Sequence, residues 1–124
     1  MKKIIPVDTS KFMLNMNRDF SVSKSKIKPG PPETFDGLNI GVATLDRNPP
    51  HAGEIHHDGD EILYVISGSL SVVSDSNPGQ TIELGPGDAC IIQKGEWHKV
   101  YILEKTQLIH ITPGPNNEHR IIQD

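Results

Sequence analysis

Histidine and acidic side chains crowd into one short stretch, Gly53-Glu54-Ile55-His56-His57-Asp58-Gly59-Asp60-Glu61, which runs directly into Ile62-Leu63-Tyr64-Val65-Ile66. Further along, Gly85-Pro86-Gly87-Asp88, an apolar run and Lys94-Gly95-Glu96-Trp97-His98 place another imidazole behind a second set of turns. Imidazole and carboxylate are the usual ligands of Zn, Fe, Mn, Ni and Cu. These groups make a metal centre if the fold brings His98 to the first cluster. No Ser-His-Asp order, phosphate loop or CxxC pair offers a competing chemistry.

Adjacent residues of a strand face opposite sides, so His56 and His57 cannot both line one face unless the strand bulges. With His56 inward, Glu54 turns inward beside it, and the candidate ligands are Glu54, His56, Glu61 and His98: two nitrogen and two oxygen donors. With His57 inward its companion is Ile55, which binds no metal, and only His57, Glu61 and His98 remain. The first register is the favoured one. His57 is then the outward neighbour, and Asp58-Gly59-Asp60 forms the turn. Burying Glu61 unpaired at the head of so apolar a strand is costly, and a metal or another cation beside it would offset the cost. Taken singly, His56 reads equally well as a surface histidine paired with Asp58 or Asp60, and Glu54 as a solvated strand residue. Cys90, inside an apolar run, reads as a small core residue. His51 and His110 fall outside the ligand set, although His110 shares a face with Leu108 and Thr112 and could line a cavity.

The elements that must position these groups read as strands. The chain has 124 residues, 35% of them hydrophobic, with 11 Gly and 10 Pro, a turn-rich composition suited to many short strands in one domain. Phe20 to Lys28 alternates, and its lysines suit an exposed edge. Leu38 to Asp46, His51 to His57, Glu61 to Ser67, Leu70 to Ser74, Thr81 to Leu84, Asp88 to Ile92, Trp97 to Leu103 and Thr106 to Thr112 follow, with Gly68-Ser69 as a hairpin signal. The pattern predicts an antiparallel sandwich or barrel. Residues 1–37 form an N-terminal strand or arm region joining the barrel, 38–112 the barrel core, and 113–124 a loose tail. Ile62 to Ile66 and Ile91-Ile92 are apolar on both faces, which predicts a homodimer with the outer face covered by a second subunit.

A net charge of -4 and pI near 5.8 argue against nucleic acid or an anionic membrane as partner. The lone Cys90, the lack of a signal-peptide pattern after Met1 and the lack of a run of roughly 18 apolar residues predict a cytoplasmic protein with no membrane span.

At the level of motif the chain resembles the cupin superfamily, the small double-stranded β-helix (jelly-roll) barrels. The first cupin motif is written G-x5-H-x-H-x3/4-E-x6-G. Glu61 and Gly68 stand at the required interval, with His56 and His57 four and three intervening residues ahead of Glu61. The second motif, G-x5-P-x-G-x2-H-x3-N, is matched by Gly87, Gly95 and His98. The match has departures. The position two before His56 is Glu54 and that two before His57 is Ile55, the leading Gly is missing, Gln93 replaces the Pro and Ile102 the Asn. The resemblance implies an all-β cupin barrel over about Leu38 to Thr112 and supports His56, Glu61 and His98 as ligands, with Glu54 where the family places a histidine.

It also implies a divalent metal ion (Fe, Mn, Ni or Zn) in the barrel mouth and a small polar organic molecule as the ligand. The reaction classes the fold hosts include oxygenases, isomerases and lyases, and so no single reaction follows from it. The alternative expectation is a non-catalytic ligand-binding or regulatory cupin with weak or no metal, which the Glu54 or Ile55 substitution keeps open.

Overall fold

The computed structural model describes residues 3–29 and 33–122. Among the described residues nine strands account for the regular structure: β1 Phe12–Asn17, β2 Val22–Lys26, β3 Gly37–Leu45, β4 Glu54–His56, β5 Glu61–Ser74, β6 Thr81–Leu84, β7 Ala89–Ile92, β8 His98–Pro113 and β9 Asn117–His119. All pairings are antiparallel. One path runs β2-β1-β3-β8-β4-β9, and β5 joins it through β8 while also carrying β6 and β7. The sheet curls on itself as an all-β double-stranded β-helix barrel. β2, with every residue exposed, forms the outer edge, and its lysines keep that edge from recruiting another strand.

Two long strands, β5 and β8, make the frame. Along the first half of β5 the alternation is strict: Leu63 and Val65 are buried, whereas Ile62, Tyr64 and Ile66 are exposed. Leu63, Val65, Leu70, Val72, Leu84, Ile92 and Leu108 form the core, with Ala43, Leu45, Cys90, Val100 and Ile102 packed against it. Odd-numbered residues face inward up to Val65, and even-numbered ones from Leu70 onward. That change of phase requires an extra residue in the strand. The ladder with β8 shifts register between Val65 and Leu70.

Gly68 therefore does not turn a hairpin. The sequence signal reads as a turn between two strands, whereas the structure has one continuous β5 facing one continuous β8, and Gly68 sits in a bulge with φ of 86°. A side chain at Gly68 would collide with the Lys105 carbonyl, so glycine serves both the backbone angle and the close approach. Thr106, fully buried opposite the bulge, donates its hydroxyl towards the carbonyls of Ser69 (3.0 Å) and Glu104 (2.8 Å).

The segment after Pro113 also differs from expectation. Its Pro, Gly and Asn content reads as a loose tail, but residues 116–120 strap back across β4. Glu54, Ile55 and His56 pair with His119, Glu118 and Asn117. Asn116 donates through its backbone N–H and its Nδ2 to Asp58 at 2.7 and 2.8 Å. Arg120 pairs with Asp75 at 2.6 Å and stacks over the Trp97 ring. A three-residue strand such as β4 has little pairing of its own and depends on this cover.

Candidate metal centre

β4 delivers Glu54 and His56 to one face, because they are two residues apart on a strand. Glu54 is also the cross-strand partner of His98, the first residue of β8. Glu61 opens β5. One donor atom from each of Glu54, His56, Glu61 and His98 lies within 4.8 Å of all the others. His57 points the other way, stays exposed and pairs with Glu118. The turn ahead of His98 is closed by Gly95 at a φ of 79°, and the Gly95 N–H donates to the His56 carbonyl at 2.9 Å, tying the two histidine segments together.

His56 Nε2 is 3.2 Å from Glu61 Oε2 and 3.6 Å from Glu54 Oε1. His98 Nε2 is 3.3 Å from Glu61 Oε1 and 3.4 Å from Glu54 Oε1. His56, Glu61 and His98 are buried, and Glu54 is the ligand candidate that reaches towards solvent. Three of the converging atoms, His56 Nε2, His98 Nε2 and Glu61 Oε1, are buried without a hydrogen-bond partner. Orphaned donors and acceptors are rare in protein interiors and costly. Three of them aimed at one point, from an acceptor-rich set, fit a cation held there. The donor chemistry, two imidazole nitrogens with carboxylate oxygens, suits Zn, Fe, Mn or Ni.

The electrostatics are those of a closely coupled quartet. Burial alone would lower the His56 pKa, but the negative carboxylates of Glu54 and Glu61 close beside the ring outweigh it and raise it to about 9. The same balance raises His98 to about 10, with added help from the Glu96 carbonyl. Burial pushes the Glu54 and Glu61 carboxyls up, but the two histidines overcome this and hold both below the usual range. Without a metal, the site is two carboxylates held by two imidazoliums. With a divalent ion and neutral imidazoles the net charge is the same, so ion and protons are alternatives for one site.

Around the quartet lies a ring of polar partners. His98 Nδ1 donates to the Glu96 carbonyl at 3.1 Å, which leaves Nε2 for the centre. Thr112 Oγ1 donates to Glu61 Oε2 at 2.7 Å and lies 3.0 Å from His110 Nδ1. Burial lowers the His110 pKa, so this imidazole is neutral and donates Nδ1–H to Thr112. Gly41 makes room for it: a Cβ there would stand 2.6 Å from His110 Nε2. His51 Nε2 approaches Glu54 Oε2 at 3.7 Å. Asn117 Nδ2 meets His56 Nδ1 at 2.9 Å. Of these, sequence reasoning puts His110 on an inward face with Thr112, sets His51 outside the ligand set as the structure does, and misses Asn117. The parity of β8 is the signal for Thr112, and nothing local signals Asn117, which stands 61 residues from its partner.

A cavity of about 190 Å³ opens beside the quartet. Glu54, Glu61, His110 and Thr112 are among its polar lining, and Leu45, Leu63, Val100 and Leu108 among its apolar lining.

An all-β barrel with a histidine–carboxylate cluster at its mouth is the class that this fold and site define. The Cupin domain family matches residues 41–112, and the chain belongs to that family. A cupin-2 domain protein from Shewanella frigidimarina is similar in structure, with 25% identity and a TM-score of 0.54, over 67% of this chain and 76% of that one. A conserved protein of unknown function from Streptococcus pyogenes is 24% identical with a TM-score of 0.53, over 64% of this chain and 66% of its own. A salicylate 1,2-dioxygenase from Pseudaminobacter salicylatoxidans shares the fold at 17% identity and a TM-score of 0.54, over 66% of this chain and a quarter (25%) of that one. A search of curated proteins finds no match. Among the described residues no helix is long and apolar enough to cross a membrane.

Proposed function

We propose that this cupin holds a divalent metal ion between Glu54, His56, Glu61 and His98 and uses it to bind a small organic molecule in the adjoining cavity, as an oxygenase or isomerase. The convergence of three partnerless buried polar atoms with the Glu54 carboxylate carries this reading. When bound, the metal would supply Lewis acidity towards an oxygen donor of the ligand and open positions for a further one. The surrounding residues would do the rest. Thr112, backed by His110, fixes the Glu61 carboxylate. His110 Nε2 keeps a lone pair facing the interior and could accept a proton from the ligand. The apolar wall of Leu45, Leu63, Val100 and Leu108 excludes water and selects a short apolar body behind the oxygen-bearing head. The cavity is below the roughly 300–1,000 Å³ typical of drug-sized ligands, so the ligand is a small metabolite.

The test is elemental analysis of untagged protein beside His56→Ala and His57→Ala. Near-stoichiometric metal that is lost in His56→Ala and kept in His57→Ala is the expected result. No metal in wild type even after reconstitution would overturn the reading. Glu54, standing where the family places a histidine, favours one second reading: a non-catalytic ligand-binding or regulatory cupin with weak or no metal. Ligand binding that persists after metal is stripped would support it.

The protein is further proposed to be a cytoplasmic homodimer. Cross-strand neighbours Ile91, Ile62, Ile111 and Ile40, with Tyr64, Ile109 and Val42 in the next row, give the outer face an apolar band spanning four strands. Such a band suits a second copy of itself.

A further inference from the structure

His56 and His98 are held at their second ring nitrogen in different ways. The partner of His98 Nδ1 is a backbone carbonyl, which can only accept, so a proton is fixed on Nδ1, and Nε2 is the nitrogen that gives up its proton to face a metal. The partner of His56 Nδ1 is the Asn117 amide, which can donate or accept. Asn117 Nδ2 donates to the Pro113 carbonyl at 2.9 Å and to His56 Nδ1 at 2.9 Å, while its Oδ1 is buried with no partner. In that arrangement Nδ1 can only accept, which suits neither the charged ring of the metal-free quartet nor a neutral ring ligating through Nε2, since both carry a proton on Nδ1. A half-turn of the amide presents Oδ1 to Nδ1–H. That satisfies the orphaned oxygen, gives up the contact to Pro113, and frees the Nε2 lone pair.

We propose that Asn117 is a positioning residue for His56, and that its amide sets which ring nitrogen carries the proton and so whether His56 can ligate a metal. The residue lies beyond position 112, where the match to the family ends, on a strap pinned by Asp58, Gly53 and Trp97. The site built by the barrel is therefore finished by a segment outside it. This rests on the metal reading above. Partners at the far nitrogen of a ligating histidine typically change metal affinity by about 10–100-fold.

The experiment is Co(II) binding to the full chain as wild type, Asn117→Leu and Asn117→Asp, with ¹⁵N NMR of the His56 ring. Both substitutions remove the donor to Pro113 and lower thermal stability alike, so a merely structural role would weaken binding alike. Asp is acceptor-only and holds the proton on Nδ1. The expected result is binding kept or tightened in Asn117→Asp and weakened roughly 10–100-fold in Asn117→Leu. Wild type alone also tests the idea, because the His56 ring should lose its Nε2 proton and keep the one on Nδ1 when Zn(II) is added. Equal weakening in both variants, unchanged binding in Asn117→Leu, or a zinc-bound His56 ring that carries no proton on Nδ1 would overturn it. Wild type that takes up no metal would overturn the metal reading itself. Wild type that binds normally while position 117 is indifferent would overturn this inference alone.

Discussion

Each face of the barrel wall carries side chains of the polarity expected on the other. The inner face, where apolar side chains belong, holds Glu61, His56 and His98, each at 4% exposure or less. The outer face, where polar side chains belong, shows Ile62, Tyr64, Ile66 and Ile91, with Ile91 at 70% exposure. Both departures sit on the same strands, and β5 carries Glu61 inward and Ile62 outward in consecutive positions. A wall selected for stability alone would be arranged the other way round. The contrast is what the two proposals would account for: a cation on the inside, and a second copy of the chain on the outside.

Removing one member of the inner quartet breaks the comparison most severely. Glu61→Ala leaves two buried imidazoles facing one carboxylate, and loss of one partner from a buried ionic group costs about 3–5 kcal/mol. Metal uptake should fall to nothing, and the metal-free protein at pH 6 should melt at lower temperature. Metal content and thermal denaturation read both. A variant as stable as wild type that retained metal would show that the quartet is not the site.

Protons sharpen the inner half of the contrast. The folded pKa of His56 and His98 is raised, to about 9 and about 10, above the ordinary 6.5. Their contribution to metal-free stability is thus complete below about pH 6.5 and lost as pH rises through 9 to 10. Glu54 and Glu61 are depressed below 4.5, so their contribution is present above that value and lost in stronger acid. Metal-free protein should be most stable between about pH 4.5 and 6.5. Stabilisation by added metal should instead grow with pH, because about two protons leave when it binds at pH 7. Calorimetry in buffers of different ionisation enthalpy counts those protons, and a count near zero would mean that both imidazoles are already neutral.

The outer half is tested by Ile62→Asp. Wild type should sediment as a dimer at micromolar concentration and the variant as a 13.7 kDa species, with metal content unaffected. A monomeric wild type would leave the outer apolar band without its proposed cover.

The inner face was the more legible of the two regions. The spacing of Glu54, His56, Glu61 and His98 singled out the residues that the fold draws together, whereas Ile62 to Ile66, apolar on both faces, marked a strand without showing which of its faces is the core. What escaped the sequence was long-range or degenerate. Gly68 carries the same signal for a hairpin and for a bulge, since both need a positive φ, and only the pairing of β5 with β8 decides between them. Asn117 sits in Pro-Gly-Pro-Asn-Asn, a composition that reads as loop, and its partner His56 is far away in the chain. Its contact arises from the docking of the strap, for which no local periodicity exists.

The smallest expected effect belongs to the bulge that switches β5 from one phase to the other. Thr106 donates its hydroxyl towards two carbonyls, those of Ser69 and Glu104, at a point where the ladder is interrupted and the site is fully buried. Thr106→Val keeps the shape, removes the donor and strands those carbonyls, at a cost of about 1–3 kcal/mol for buried groups left unsatisfied. Because Leu63 and Val65 lie before the bulge and Leu70 and Val72 after it, the phase change is what lets one strand line the barrel along its whole length. If the hydroxyl merely satisfies the bulge, Thr106→Val lowers the melting temperature and leaves metal affinity unchanged, since Glu61 lies upstream of the shift. A loss of metal binding without loss of stability would mean that the bulge sets the geometry of the centre, and the two halves of β5 would no longer be independent.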